Sequence, residues 1–216
     1  MPLHLLFDLD GTLTDSFPGI SRSINRTLAT LGREPVADER LRRYVGAPLA
    51  TIFEALLDSD DPALVDRAVA LYRPQFDEIG ILESRLFPGI PEALTELRAV
   101  GHTLQVVTAR SFSSATLVVR HFALERHFVA VHGPDATERA YDKAHLVRAA
   151  LQTTGAQATD AVMVGDRAED IRAARAHGVR AVAAAWGYGS SAELAAAHPD
   201  YVAATITDLV SWLQSG

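Results

Sequence analysis

Residues 3–9 (Leu-His-Leu-Leu-Phe-Asp-Leu) form a short, mostly apolar run that stops at Asp10-Gly11, a turn dipeptide; the pattern predicts a buried strand. From residue 103 onward the chain alternates such runs with amphipathic stretches. Residues 103–108, 128–131, 161–164 and 179–185 are apolar or β-branched and predict strands, whereas 144–151, 171–177, 192–197 and 207–213 predict helices. A further helix is expected between Pro91, suited to a first helical turn, and Gly101, a C-terminal stop. Alternating β and α units predict an α/β fold: a parallel sheet with right-handed crossovers and helices on both faces. In such a sheet, functional side chains gather at the carboxyl ends of the strands.

Residues 16–85 break the rhythm. They contain no convincing strand, only helical periodicity: Ile20, Ile24, Leu28 and Leu31 share one face of a helix that Gly32 ends. Residues 41–45, 49–57 and 62–79 continue the pattern. Most connections run about 4–6 residues, so this insertion is expected to be a folded helical unit. Entering directly after the first strand, it is expected to stand over that strand's carboxyl end as a lid. The expected division is a catalytic core of residues 1–15 and 86–216 and a cap of residues 16–85.

Composition narrows the chemistry. A chain of 216 residues with 48% hydrophobic content suits a sizeable core. No apolar run approaches the ~20 residues of a membrane span. The N-terminus has no basic leader pattern, and the expectation is a cytoplasmic protein. With zero cysteines, disulfides, thiolate metal sites and a cysteine nucleophile are excluded. The formal charge of −7 and the lack of a basic stripe speak against a nucleic-acid polymer as partner. Of the 20 basic residues, Lys143 alone is lysine. Arginine is a planar fork and lysine a compact point charge, so they are not interchangeable.

Four places carry candidate chemistry. Asp8 and Asp10 sit two apart at the tip of an apolar strand, where unpaired charge is costly unless a cation compensates it. Gly11 would let the backbone approach an anion and Thr12 could donate to a phosphate, although Asp-Gly is also an ordinary turn. Asp166 and Asp170 follow a second apolar strand. Acids in a first helical turn complement the helix dipole, but that does not explain a second acidic cluster at a second strand end. Mg²⁺ takes oxygen ligands and needs only one or two carboxylates, which Asp8, Asp166 and a carbonyl at Asp10 would supply. Lys143 opens a helix, the wrong end for a cation on dipole grounds, and makes sense facing carboxylates or a phosphate. Thr108, followed by Ala109 and Arg110, offers a hydroxyl and N–H groups at a helix entrance. Together these are parts for phosphoryl transfer.

This ordered set resembles the haloacid dehalogenase superfamily, and the cap placement is similar to its phosphoglycolate-phosphatase-like branch, with a Rossmann-like core. The resemblance covers essentially the whole chain. It implies that Asp8 attacks phosphorus and that Asp10 protonates the leaving oxygen, then activates water. It implies that Thr108 and Lys143 bind the phosphoryl group, that Asp8, Asp10 and Asp166 hold Mg²⁺, and that Asp170 supports the metal. Thr108 is followed by Ala-Arg where many relatives carry Asn-Lys, so Arg110 is expected at the substrate or the lid. Residues 43–48 (Arg-Tyr-Val-Gly-Ala-Pro) look like the specificity loop, with Arg43 and Gly46 as candidate substrate contacts.

The expected activity is hydrolysis of a small phosphorylated metabolite such as 2-phosphoglycolate. The alternatives are a 5′-nucleotidase, a phosphosugar mutase, and a non-enzymatic module phosphorylated on aspartate. Arg22, Arg26, Arg42 and Arg43 are available to an anionic substrate tail, although lid arginines are commonly just solvated. Gly187-Tyr188-Gly189-Ser190-Ser191-Ala192 fits a dinucleotide fingerprint, but it falls at the last main βα unit instead of the first. The resemblance places this loop at the border of the site.

Overall fold

The computed structural model describes residues 1–138 and 141–215. In chain order the elements are β1 (His4–Phe7), β2 (Thr14–Asp15), α1 (Phe17–Thr30), α2 (Asp38–Leu41), α3 (Leu49–Leu57), α4 (Pro62–Glu78), β3 (Arg85–Leu86), α5 (Ile90–Ala99), β4 (Thr103–Val107), α6 (Phe112–His121), β5 (Phe128–His132), α7 (Lys143–Thr154), β6 (Ala161–Gly165), α8 (Ala168–Arg175), β7 (Arg180–Ala184), α9 (Ser191–Ala196), β8 (Tyr201–Ala203) and α10 (Ile206–Ser215).

β1 is central because its side chains are apolar on both faces. Leu5 and Phe7 enter one hydrophobic cluster and Leu6 the other, as the two-residue strand period requires. Burying a side chain such as Phe7 contributes about 1.5–3 kcal/mol. The main sheet has 6 strands in the order β5-β4-β1-β6-β7-β8, all parallel. The order reverses direction at β1, and the crevice where parallel order switches is the favoured ligand position of such sheets.

α1 forms as expected from its stripe: Ile20, Ile24 and Leu28 are buried, and Gly32, at φ +69°, follows its last turn. It crosses α4 and the 3₁₀ turn Gly80–Glu83 closely enough that a Cβ on Gly19 would overlap the Gly80 carbonyl. α3 packs on α4, where Phe53, Tyr72 and Phe76 form consecutive ring contacts. The apolar cluster on this side runs without a break from the sheet into the inserted helices.

Three features depart from the expectations. β2 and β3 pair antiparallel as a ribbon of 2 residues each at the root of the insertion, too short for a period-two signal. Within residues 41–45 the α-helix α2 already stops at Leu41, and Arg42–Tyr44 is a 3₁₀ turn. β8 adds an edge strand of 3 residues with Val202 exposed, so it lacks the continuous apolar run of a buried strand. No helix among the described residues is long and apolar enough to cross a membrane.

Candidate active site

β1 delivers Asp8 to the crevice, where its backbone N–H donates to the Val164 carbonyl of β6 at 2.9 Å. Asp142 caps α7 by accepting from the Ala144 N–H at 2.9 Å, which makes Lys143 the first helical residue. Its ammonium lies 2.7 Å from Asp8 Oδ1 and also contacts Asp170 Oδ1. Asp166 leaves β6, and Asp170 sits in the first turn of α8, where its Oδ2 accepts from the Arg167 N–H at 2.9 Å. Asp8, Asp166 and Asp170 are buried, with carboxylate oxygens within 4.8 Å of one another.

The charges do not balance. With all three buried carboxylates ionised, the one buried ammonium would leave two negative charges uncompensated. Burial pushes the Asp8 carboxyl well up; Lys143 opposes this while Asp170 and Asp166 add to it. Asp166 is raised to about 7, again by burial first and by Asp170 second. Burial alone would push the Lys143 ammonium down, but Asp170 and Asp8 more than compensate and hold it well above the ordinary lysine value. An all-oxygen group short of two positive charges fits a divalent cation. These three residues suit one.

Asp166 is packed as tightly as it is charged. Thr12 Oγ1 donates to its Oδ1 at 3.3 Å and the Tyr188 N–H to its Oδ2 at 2.7 Å. Cβ atoms on Gly11 (φ +93°) or Gly187 would collide with the Asp166 side chain, so both positions require glycine. The Gly187–Ala192 segment therefore folds over an acidic residue, with the Tyr188 N–H given to Asp166. Trp186 Nε1 donates to the Thr12 carbonyl at 2.9 Å and Tyr188 Oη to Asp15 Oδ1 at 2.9 Å, pinning this loop to the turn after β1.

Asp10 points elsewhere. Its carboxylate is not among the clustered three. Arg110 clasps it through Nε to Oδ2 at 2.8 Å and Nη2 to Oδ1 at 3.0 Å, and Ser16 Oγ donates to Oδ1 as well. The Arg110 guanidinium stacks 3.9 Å from the Phe76 ring centroid of α4, and Arg110 Nη1 donates to Ser114 Oγ, which donates on to Asp77 Oδ1 of α4. Thr108 is buried at the end of β4, its Oγ1 accepting from the Arg110 N–H at 3.2 Å. The motif residues thus fall into two adjoining groups. Asp8, Lys143 and Asp170 are joined by ion pairs, with Asp166 and its donor Thr12 beside them; Asp10, Thr108 and Arg110 form a second group on the side of α4.

Beside Asp10 and Arg110 lies a cavity of about 360 Å³, walled by Val45–Ala50 and α4 residues on one side and by Ala109, Ser111 and residues 134–138 on the other. Gly46 lines it, at φ +95°. Arg43 does not: it is exposed and absent from the cavity wall, so the substrate contact expected of it has no support here. Arg42 stacks 4.0 Å from the Phe17 ring and Arg22 pairs with Glu83 at 2.6 Å, while Arg26 is exposed. Sequence reasoning missed Tyr72, Asp77 and Ser114 around Arg110. Their helical spacing reads simply as packing and surface.

Comparison with known proteins agrees with this geometry. A model of the haloacid dehalogenase-like hydrolase family matches residues 5–184. A 5′-nucleotidase of Pseudomonas aeruginosa is 39% identical over 212 residues, covering 98% of this chain and 96% of that protein. A phosphoglycolate phosphatase of Chromobacterium violaceum is 29% identical, covering 97% and 96%. The crystal structure of a predicted phosphatase from Clostridium acetobutylicum superposes with a TM-score of 0.92 at 28% identity, covering 100% of both chains.

Proposed function

Since the chain belongs to the haloacid dehalogenase-like hydrolase family and is a phosphatase of that family, we propose that it hydrolyses a small phosphorylated metabolite with Mg²⁺ through an aspartyl-phosphate on Asp8. The observation that carries the reading is the buried triad Asp8, Asp166 and Asp170 gathered on Lys143 at neighbouring strand ends. Asp8 and Asp166 would hold the ion together with the Asp10 carbonyl, and Asp170 would orient Lys143 and support the group. Bound there, such an ion would supply charge neutralisation for the phosphoryl group.

An Asp8 oxygen attacks phosphorus and the ester P–O bond breaks, while Asp10 gives a proton to the leaving oxygen. Asp10 then takes a proton from water, which attacks phosphorus and returns Asp8 as a carboxylate. Lys143 and Thr108 bind the phosphoryl oxygens, with the Ala109 N–H beside Thr108; the phosphate contacts expected of Gly11 and Thr12 are not favoured, because their N–H groups donate to the Thr14 and Leu9 carbonyls and the Thr12 hydroxyl donates to Asp166. Residues 16–85 act as the lid over residues 1–15 and 86–216. Arg110 serves Asp10 instead of the substrate, because both Asp10 oxygens already engage it.

The cavity bears on the leaving group. At about 360 Å³ it falls within the range of small-molecule sites, roughly 300–1,000 Å³, and glycolate would leave most of it unfilled. Its aliphatic lid wall and Tyr72 suit a flat apolar body, which favours a nucleoside 5′-monophosphate over 2-phosphoglycolate. A panel of phosphate monoesters scored by kcat/KM, with and without Mg²⁺, tests this. Nucleotides are expected to rank above 2-phosphoglycolate, and an Asp8→Asn protein that kept full activity would end the proposal.

A further inference from the structure

The lid loop between α2 and α3 is fastened to the core at two consecutive carbonyls. Tyr141 Oη donates to the Gly46 carbonyl at 2.8 Å and Arg167 Nη1 donates to the Val45 carbonyl at 2.9 Å. These donors come from different core loops, and each adjoins a site residue: Tyr141 is two positions before Lys143, and Arg167 directly follows Asp166. Arg167 does not line the cavity, whereas Val45, Gly46 and Tyr141 do.

Arg167 is itself braced from outside the site. Its Nε donates to Glu193 Oε1 at 2.9 Å, and the same oxygen accepts the Ala168 N–H at 3.0 Å. Glu193 is held by the Ser190 cap of α9, whose Oγ accepts the Glu193 N–H at 3.1 Å. The Gly187–Ala192 segment thus has a second use: it begins the helix that carries the brace. A guanidinium can serve Glu193 and a carbonyl together because its donors are fixed in one planar fork, which a lysine ammonium lacks.

We propose that Tyr141 and Arg167, the latter set by Glu193, are positioning residues that latch the Val45–Gly46 turn over the leaving-group cavity. The latch holds the turn as one wall of that cavity, and its release opens the wall for substrate entry and product exit. The part of this concerning substrate rests on the phosphatase reading above; the latch itself does not.

The test compares hydrogen–deuterium exchange of amides 45–52 in wild type, Tyr141→Phe, Arg167→Met and Glu193→Gln, each first checked for a wild-type thermal transition. Each variant is expected to speed exchange in that segment by about fivefold, the factor that one net hydrogen bond is worth, with exchange in β1 and β6 unchanged. For the best monoester in the panel, KM should rise about as much in Arg167→Met and Glu193→Gln while kcat moves less than about twofold. Arg167→Lys should recover only part of the protection. Unchanged exchange at 45–52 in all folded variants would overturn the latch, as would a fall in kcat with no change in KM. The expected exchange pattern across the variants, with no phosphate ester hydrolysed by the wild type, would leave the latch standing and remove the phosphatase reading alone.

Discussion

Lys143 sits against Asp8 and Asp170 in a buried site that still lacks two positive charges, so the residues around it should respond in opposite ways. Lys143→Met strips the single ammonium from that site, and removing one partner of a buried pair typically costs about 3–5 kcal/mol. We predict a loss of that size by denaturant unfolding in chelator, partly recovered on adding Mg²⁺. Asp8→Asn should do the reverse. Burial and the neighbouring acids make ionised Asp8 unfavourable in the fold, so at pH 8 without metal the amide protein should melt above wild type while turnover is abolished. Arg110→Met keeps the side chain's bulk against Phe76 but removes the two-point clasp, leaving Asp10 Oδ1 to Ser16 and Oδ2 without its Arg110 donor. We predict a kcat about 10- to 100-fold lower for an alkyl phosphate, whose leaving oxygen needs a proton, and a smaller loss for an aryl phosphate. Equal losses on both esters would show that Arg110 only supports the fold. Asp8, Lys143, Asp166 and Asp170 were legible in sequence because charged groups at the ends of apolar strands have few structural uses. The Arg110–Asp10 clasp was not, because it depends on the pairing that sets the end of β4 beside that of β1, with Phe76 of α4 covering the guanidinium.

Among the elements, α1 and α4 depend on a close crossing at Gly19 and Gly80. Gly19→Ala places a methyl against backbone that cannot step aside, and overpacking of this kind costs about 1–3 kcal/mol. A lower melting temperature, with faster exchange concentrated in α1 and α4, is the expected result. Wild-type exchange in both helices would show that the crossing is loose. The helices of the insertion were readable because stripes such as Ile20, Ile24 and Leu28 repeat at helical spacing. The β2–β3 ribbon and β8 were not, since two or three residues cannot display a period and tertiary pairing defines them. The helix expected over residues 41–45 ended early at Leu41, with Val45 and Gly46 committed instead to the turn that Arg167 and Tyr141 engage.

For the whole molecule, parallel order carries residues from position 8 to position 170 to one crevice, and this concentration of acid has a pH signature. In the metal-free fold Asp166 is raised to about 7 and Asp8 is also raised, so the native state binds more protons than the unfolded chain between the ordinary carboxylate range and neutrality. The stability these groups confer is therefore complete below pH 4 and is lost as pH rises through about 7. Thermal unfolding in chelator should show their contribution shrinking from pH 5 to pH 8, and Mg²⁺ should raise the melting temperature more at pH 8 than at pH 5. An Mg²⁺ effect independent of pH would separate the ion from this cluster. The parallel sheet was legible from the alternation of strands and helices; its strand order and the proton balance needed the structure. The most direct measurement is acid-quench mass spectrometry of the enzyme during turnover of an aryl phosphate, repeated with Asp10→Asn to slow release. One phosphoryl group on the peptide containing Asp8, absent in Asp8→Asn, is the result we predict. Steady turnover with that peptide unmodified, or with the phosphoryl group on another residue, would contradict it.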